Sequence, residues 1–190
     1  MKICGIVGSP KKRGNVDLLV SQVLKGAESQ GATSEKFYLN DMAIKPCQSC
    51  GTNPYPRYCL FDDDMEVIYT ALEQVDAVVL GSPVYFDTVS AQTKLMIDRC
   101  NCLMPWVEQS DRTSHFERRI EKKKKGVFVA VSGMDQEFET IQTTVNGFFY
   151  WVNIKLVETI FYPHEGGFGC VKDDEKKMIH AFEVGVNIMK

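Results

Sequence analysis

The first stretch whose residue types could do chemistry is "GSPKKRGNVDLLV", which begins at Gly8 directly after the apolar run Ile3–Val7. Small residues form a turn, three cations follow at Lys11–Arg13, and an amphipathic pattern then begins. Such a loop places backbone N–H groups at the start of a helix, where unpaired donors and the helix dipole favour an anion. Ser9 adds a hydroxyl and Asn15 can cap or donate, so the sequence predicts a phosphate site.

This first loop differs from the common nucleotide motifs. It has no Gly-Lys-Ser/Thr ending, as a Walker A loop would, and no Gly-x-Gly-x-x-Gly fingerprint. An ordinary surface turn with solvated cations is the alternative interpretation. The loop alone therefore indicates a phosphate without indicating which compound carries it.

A second loop, "GSPVYFDTVSAQTKLMIDR", runs from Gly81 to Arg99 and repeats the Ser-Pro turn after another apolar run. Tyr85 and Phe86 follow the turn, and the pattern predicts a helix that begins near Ser90. Backbone amides beside aromatic rings suit a flat heterocycle with polar edges. The alternative is that both aromatic side chains only pack beneath the loop.

The elements that would position these loops alternate between strand and helix. Short, nearly continuous apolar runs suit strands that are covered on both faces, and between these runs apolar residues recur at helical spacing. The predicted strands are Ile3–Val7, Thr33–Leu39, Ala77–Leu80, Val127–Val131 and Leu156–Phe161. Such alternation predicts an α/β fold with a parallel sheet of about five strands, whose ligands bind beyond the carboxyl ends.

Composition narrows the class of protein. The 190 residues are 44% hydrophobic and 25% charged, which fits one globular domain over residues 1–190. A formal net charge of -3 argues against nucleic acid as the main partner. We find no signal peptide and no apolar run long enough to span a membrane, so we expect a cytoplasmic protein. Seven cysteines without an export signal indicate reduced thiols or a metal site rather than a disulfide framework.

The two loops, in their order and spacing along the chain, resemble those of the NAD(P)H-dependent FMN reductase-like flavoproteins. That family includes the iron-sulfur flavoproteins. "GSPKKRGNV" is similar to that family's Gly-Ser-Pro-x-x-x-Gly-Asn-Thr loop, and "GSPVYF" is similar to its Ser-Pro-Val-Tyr-Phe loop. The likeness covers Met1 to about Arg99. The rest of the chain resembles the family only in its alternation of strands and helices. It implies a flavodoxin-like three-layer sandwich with strand order 2-1-3-4-5 and FMN at the carboxyl edge.

The resemblance also implies a reaction. NADPH or NADH would pass electrons through FMN to a small acceptor such as a quinone, nitro compound, flavin or metal ion. The flavin would carry the chemistry, so no catalytic side chain is expected. The alternative is an electron-transfer flavoprotein of flavodoxin or iron-sulfur type without NAD(P)H turnover. Relatives commonly dimerise, and Trp106, Phe116 and the stretch Leu103–Lys125 would then cover a neighbour's flavin.

Site residues follow from the resemblance position by position. The phosphate would be held by the first loop, the ring would be lined by the second, and the end of the fourth predicted strand would complete the site. Val16 stands where threonine is common, so a side-chain donor is lost, and Asp87 replaces a usual glycine. The predicted cofactor residues are Ser9, Lys11, Asn15, Val16, Pro83, Val84, Tyr85, Phe86, Asp87, Ser132 and Gly133.

The segment "IKPCQSCGTNPYPRYCLFDDDM" is similar to the cysteine motif that holds a [4Fe-4S] cluster in iron-sulfur flavoproteins. Cys47, Cys50 and Cys59 match three of its positions, but Asn53 stands where the third cysteine would be. Cysteine pairs without metal are common among relatives, so the resemblance favours no metal. A cluster completed by a distant cysteine such as Cys102 or Cys170, a zinc site, a redox dithiol and a relic loop stay open.

Three other polar features are assigned no role. Asp62–Asp64 is expected at a helix N-terminus rather than around a cation. Lys122–Lys125 is expected to be a solvated connection, with the extra phosphate of NADPH as the alternative. The histidines show no metal spacing, and the glycines of "HEGGFGC" could let that loop approach the ligand.

Overall fold

In a computed structural model, residues 1–52, 54–108, 113–133, 138–164 and 166–190 are described. The apolar runs form strands and the amphipathic stretches form helices, as the patterns predict. The first half contains β1 (Lys2–Val7), α1 (Asn15–Glu28), β2 (Thr33–Tyr38), α2 (Met65–Gln74), β3 (Ala77–Tyr85) and β4 (Thr88–Val89). The second half contains α3 (Ala91–Arg99), β5 (Trp106–Glu108), β6 (Ser114–Phe116), β7 (Lys124–Ser132), α4 (Glu139–Trp151), β8 (Ile154–Pro163) and α5 (Glu175–Ile188).

Five long strands pair in parallel in the order β2-β1-β3-β7-β8. This is the order 2-1-3-4-5 when only the long strands are counted, so the expected topology is confirmed. Short β4 pairs antiparallel with the end of β3, and β5 pairs with β6 in a separate hairpin. The carboxyl ends of β1, β3 and β7 therefore lie side by side, which brings the three predicted loops to one edge.

The sheet separates two cores. Side chains of α2, α3 and α4 pack on one face, and those of α1 and α5 pack on the other. Glycines let α1 and α5 touch. A Cβ on Gly26 would lie 2.0 Å from Phe182 O, and a Cβ on Gly185 would lie 2.0 Å from Val23 O. None of the helices within the described ranges has the length and apolarity that a membrane crossing requires.

A buried ion pair anchors the irregular segment between β2 and α2. Arg99, at the end of α3, donates to Asp63 at 2.5 Å and to the carbonyl of Lys45 at 2.9 Å. Asp64 accepts the N–H of Ala43 at 2.6 Å. The acidic run does precede α2, as predicted: Asp64 is its N-cap residue without a side-chain cap bond, and Asp63 Oδ1 accepts the N–H of Met65, the first residue of the helix, at 3.2 Å.

Candidate functional site

A cleft of about 270 Å³ opens at the carboxyl edge of the sheet. It collects nine of the eleven predicted cofactor residues from three separate loops. These are Ser9, Lys11, Asn15, Val16, Pro83, Val84, Tyr85, Ser132 and Gly133. The structure adds a fourth wall after β8, formed by His164 and the glycine-rich loop Gly166–Gly169. The sequence signal for this wall was the run of glycines directly after a strand.

The start of α1 supplies anion-binding groups to the cleft. Its N-cap residue, Gly14, is extended and provides no side-chain cap. The N–H groups of a first helical turn have no partner within the helix, so those of Asn15, Val16 and Asp17 carry the positive end of the dipole. Because Val16 offers its backbone N–H at this place, the missing threonine hydroxyl removes only one donor.

The Asn15 side chain makes two hydrogen bonds within the protein. Its Oδ1 accepts the N–H of Val171 at 3.0 Å, and its Nδ2 donates to Cys170 Sγ at 3.4 Å. The amide therefore holds the start of α1 against the loop after β8. In this arrangement the side chain positions two walls of the cleft, while the backbone N–H of Asn15 belongs to the first turn of α1.

The three cations of the first loop diverge. Lys12 Nζ lies 2.5 Å from Asp41 and 5.0 Å from the centre of the Tyr38 ring, so this ammonium is turned away. Arg13 has φ +61 and presents its backbone N–H to Asp17 at 2.7 Å. Lys11, which is exposed, is the member of this trio that lines the cleft.

Asp17 fixes the shape of the first loop from below. Its buried carboxylate accepts the Arg13 N–H, Lys36 Nζ at 2.8 Å and the Tyr38 hydroxyl at 3.1 Å. Burial raises the pKa of Asp17, but the hydrogen bonds from Lys36 and Arg13 outweigh it and hold that pKa below its ordinary value. The loop is therefore held to β2 by a carboxylate that stays charged at neutral pH.

Hydroxyl groups join the first loop to the second. Ser90 Oγ donates to the carbonyl of Gly8 at 2.7 Å, and the Ser90 N–H donates to Ser82 Oγ at 3.0 Å. Ser90 also caps α3 by accepting the Thr93 N–H at 3.2 Å, as predicted for a helix starting there. A Cβ on Gly8 would lie 1.8 Å from Thr93 Oγ1, so only glycine fits where the two loops meet.

Phe86 and Asp87 do not line the cleft. They form the two-residue turn between β3 and β4, with φ +51 and +59, which matches a type I′ hairpin without its usual Asn-Gly. Phe86 is 96% exposed at the tip. Tyr85, 45% exposed, lies at the rim of the cleft and is the aromatic side chain that the structure places beside the other predicted residues.

Ser132 provides an independent indication of a ligand. It is buried at the end of β7, and its Oγ is one of two buried side-chain polar atoms in the described residues without a hydrogen-bond partner; the other is Arg99 Nε. A buried hydroxyl without a partner costs about 1–3 kcal/mol. Because Ser132 lines the cleft, a polar ligand there would satisfy it. The donor set therefore fits a phosphorylated, partly aromatic group such as FMN.

The cysteine segment lines another, larger cavity of about 740 Å³ beside the C-terminal end of α3. Cys47, Cys50 and Cys59 share this cavity with Cys102, whereas Cys170 lies against Asn15. Of the two distant cysteines considered, Cys102 is thus the one near the motif. The buried Arg99 also lines the cavity.

These four thiols differ in their surroundings. Hydrogen bonds with Thr52 lower the pKa of exposed Cys50, whereas burial raises the pKa of Cys102. Cys59 Sγ accepts from Arg99 Nη2 at 3.3 Å, and Cys102 Sγ donates to the Arg99 carbonyl at 3.2 Å. In the part of the chain that the structure describes, no three His, Cys, Asp or Glu side chains are grouped so as to hold a metal ion. Asn53 lies outside the described residues. The arrangement does not fit an assembled cluster.

The cationic run lies far from the cleft. It enters β7 at Lys124, whereas the cleft lies at Ser132, about 26 Å away along a strand. Lys122 pairs with Asp76 at 2.8 Å, and Lys125 donates to the carbonyl of Ile188 at 3.1 Å. This placement gives no support to the alternative interpretation of the run as a contact for the extra phosphate of NADPH.

Comparison with known proteins identifies the family. The family described as NADPH-dependent FMN reductase matches residues 1–166. An iron-sulfur flavoprotein of Methanocaldococcus jannaschii is 39% identical over 99 residues, which are 52% of this chain and 51% of that protein. One from Archaeoglobus fulgidus is 41% identical over 99 residues, 52% of this chain and 45% of its own length. These matches span about half the length of the relatives. Another Methanocaldococcus jannaschii iron-sulfur flavoprotein is 26% identical over 100% of this chain and 92% of its own length.

Solved structures agree in fold. A flavone reductase superposes with a TM-score of 0.75 at 20% identity, over 100% of this chain and 62% of its own. An NAD(P)H:quinone oxidoreductase from Methanothermobacter marburgensis gives 0.72 at 15% identity, over 99% and 98%. An archaeal flavodoxin gives 0.59 at 12% identity, over 100% and 96%. With a parallel sheet in the flavodoxin order and a family match over residues 1–166, the chain belongs to the NADPH-dependent FMN reductase family.

Proposed function

We propose that this chain is an FMN-dependent oxidoreductase that takes electrons from NAD(P)H and passes them to a small acceptor. Suitable acceptors are a quinone, a nitro compound, free flavin or an oxidised metal ion. One observation carries the proposal: a single cleft combines the uncapped start of α1 with the unpartnered, buried Ser132 hydroxyl. Membership of the family supports FMN as the ligand that satisfies both.

In this proposal the first loop holds the phosphate of FMN. The N–H groups of the first turn of α1 donate to it, together with the hydroxyl of Ser9 and the ammonium of Lys11. A cleft of about 270 Å³ is near the lower bound for ligand sites, so it accommodates the phosphate end while the ring extends to the open rim. Tyr85, which is half exposed, and Phe168 in the wall after β8 are aromatic side chains that line the same cleft.

When bound, FMN supplies the hydride and electron transfer, which protein side chains cannot perform. The chain supplies position and hydrogen bonds. The contacts of Ser90 with Gly8 and Ser82 fix the first two loops relative to each other before any ligand arrives. Such preorganisation lowers the entropy cost of binding. Phe86 and Asp87 lie at an exposed tip beside Tyr85, where they would contact the second substrate as it approaches the flavin.

A flavin titration tests the cofactor. Quenching of FMN fluorescence by the purified protein should report a saturable site, and Lys11→Met should weaken it about tenfold, as expected for a lost charge-assisted hydrogen bond. Lys12→Met is the matched control, because Lys12 pairs with Asp41 instead, and should change the affinity less than twofold. A protein that does not bind FMN would contradict the proposal.

Reduction tests the activity. Anaerobic mixing of the FMN-loaded protein with NADPH or NADH should bleach the flavin absorbance within the time of a turnover, and added quinone should restore it. If only dithionite or a partner protein bleaches the bound flavin, the chain is an electron-transfer flavoprotein. The iron-sulfur flavoproteins and the flavodoxin among the similar proteins make that the competing function.

We also propose that two copies of the chain associate. Trp106 and Phe116 are 52% and 50% exposed, and their rings meet edge to face at 4.9 Å. Phe116 also contacts the ring of Trp151 at 5.3 Å. Contiguous exposed aromatic rings mark interaction surfaces. Sedimentation of the wild type should give a dimer, and Trp106→Ser should shift the protein toward the monomer; a monomeric wild type would contradict this.

A further inference from the structure

The sequence pattern gives His164 no role, yet this residue lies between two walls of the cleft. It follows β8 directly, and its backbone N–H donates to the carbonyl of Ser132 at 3.2 Å. His164 is one of the residues that line the cleft. Cys170, whose Sγ lies 3.7 Å from His164 Nδ1, contacts Asn15 at the first residue of α1. One side chain therefore connects the His164 ring to the end of α1 that attracts anions.

The protonation of one ring nitrogen follows from its partner. His164 Nδ1 lies 2.7 Å from the carbonyl oxygen of Gly166, and a carbonyl can only accept a hydrogen bond. Nδ1 therefore carries the hydrogen in either charge state. In the neutral ring Nε2 is an acceptor, and in the protonated ring it becomes a donor. Charging His164 thus converts its free nitrogen into a group that binds anions.

The groups around the His164 ring determine whether its protonation strengthens or weakens the binding of an anion. From its own segment come the Tyr162 ring, stacked at 5.7 Å, and the Cys170 thiol. From the other walls come Lys11, the positive end of α1 and the neutral Ser132 hydroxyl. The described residues that line the cleft include no carboxylate. Beyond the cleft, Asp173 and Asp174 act electrostatically on the stacked Tyr162. Among the described residues that line the cleft an imidazolium would thus find no carboxylate, and it would gain an anionic partner when a phosphate enters.

We propose that His164 is a phosphate-binding residue, which takes up a proton when the phosphate of FMN enters the cleft and thereby makes FMN affinity depend on pH. This inference rests on the proposed function and adds a residue and a regulation to it. The contact requires the charged form of the imidazole, and a bound anion favours that form, so the affinity must fall as the pH rises. The backbone N–H donors of the first loop would not produce this fall, since they do not titrate.

The test is the dissociation constant of FMN at several pH values between 6.5 and 8.5, where the phosphate is mostly dianionic. For the wild type it should rise about tenfold across this range, the size expected for one lost charge-assisted hydrogen bond. His164→Gln keeps a polar side chain without a titrating group and should flatten the curve. The control His180→Gln changes an exposed histidine on α5 and should leave the curve unchanged.

Two further measurements separate the possible causes. Riboflavin has no phosphate, so its affinity should not vary over the same pH range; equal variation for riboflavin and FMN would overturn the proposal. Calorimetry in buffers of different ionisation enthalpy should detect proton uptake on FMN binding by the wild type and none by His164→Gln. If His164 had a purely structural role, His164→Gln would lower the affinity for FMN equally at every pH.

The outcomes distinguish the two proposals. If the wild type binds no FMN at any pH, the proposed function fails and this inference falls with it. If FMN binds and the wild type and His164→Gln show the same pH dependence, only the role of His164 is wrong. If FMN binding weakens as the pH rises in the wild type but not in His164→Gln, the result supports both the proposed function and the role of His164.

Discussion

The cleft at the strand tips and the cysteine cavity beside α3 show two ways in which a chain can bring chemical groups together. In the cleft, parallel pairing sets the loops after β1, β3 and β7 side by side, and hydroxyl bonds lock two of them. In the cavity, four thiols share about 740 Å³, but no three ligating side chains of the described residues converge on one point. A regular sheet therefore assembles a site without its ligand, whereas an irregular segment only brings its groups into one neighbourhood.

The sharpest way to break this comparison is to complete the cysteine motif. We expect the wild type, reconstituted anaerobically with iron and sulfide, to hold no stoichiometric iron, because the motif has three thiols. Asn53→Cys restores the spacing of a cluster motif and should take up about four irons per chain, measured by iron analysis. Asn53→Ser is the control, since it changes the same position without adding a thiol.

An iron-loaded wild type would contradict this expectation and would make the cavity a site in its own right. Cys102 would then be the fourth ligand, because it lines the cavity with the three motif cysteines. Cys102→Ser should in that case lose the iron, whereas Cys170→Ser should retain it, since Cys170 lies at the other site.

The next largest effect concerns the ion pair that anchors the cysteine segment. Arg99→Met should lower the free energy of unfolding by about 3–5 kcal/mol, because it leaves the buried Asp63 carboxylate without its charged partner. Lys94→Met removes a cation from the same helix, but its pair with Asp98 is half exposed and should be worth less than about 0.5 kcal/mol. Urea unfolding of both variants measures the difference; similar losses would mean that the buried pair has no special weight.

The junction of the first two loops gives a third prediction, on the side of the cleft. Gly8→Ala should lower the free energy of unfolding by about 1–3 kcal/mol, because the new Cβ would lie 1.8 Å from Thr93 Oγ1 and 3.1 Å from the Gly81 carbonyl. Gly133→Ala is the control, since a Cβ there meets nothing within 4 Å. If Gly8→Ala binds FMN and unfolds like the wild type, the junction does not hold the cleft together.

Much of this architecture could be predicted from the sequence because it depends on local pattern. Five apolar runs became the five parallel strands, and the Ser-Pro loops came to one edge as parallel pairing requires. The start of α3 near Ser90 was predicted and is confirmed by its cap. The strands extend further than their apolar cores, since β3 continues through Pro83 to Tyr85.

What the sequence could not show depends on contacts between distant residues. The side chain of Asn15 binds residues 155 and 156 positions away, so no local spacing reveals that it ties two loops together. The pairing of Lys12 with Asp41 likewise removes a cation that the first loop seemed to offer. His164 enters the cleft only because β8 lies beside β7. Such roles are set by tertiary placement rather than by residue type.

Ser132 allows a test in which stability and binding change in opposite directions. Ser132→Ala removes a buried hydroxyl without a partner, so the free energy of unfolding of the free protein should stay the same or rise by up to about 1 kcal/mol. The affinity for FMN should fall by roughly tenfold, the value of one hydrogen bond to the ligand. Ser114→Ala, at an exposed site on β6, is the control. Unchanged FMN affinity in Ser132→Ala would show that the cleft leaves this hydroxyl unused.

The smallest expected effect lies at the opposite edge of the sheet, where β7 begins. Lys124 is buried and donates to the carbonyls of Lys122 and Val152 at 2.7 and 3.1 Å. Burial, helped by the charges of Lys122 and Arg118, lowers the pKa of Lys124 to about 8, whereas an unfolded lysine titrates near 10.4.

Between these two pKa values the unfolded chain binds more protons than the folded one, so the free energy of unfolding must rise with pH. Lys124 should therefore add about 1 kcal/mol of stability between pH 7 and pH 9, as its unfavourable buried charge is lost. Lys124→Met should remove this rise, and the exposed neighbour variant Lys123→Met should retain it. Urea unfolding at both pH values measures the slope. An identical slope in Lys124→Met would mean that this ammonium stays charged in the folded protein, held by its carbonyl acceptors, and that the rise comes from other groups.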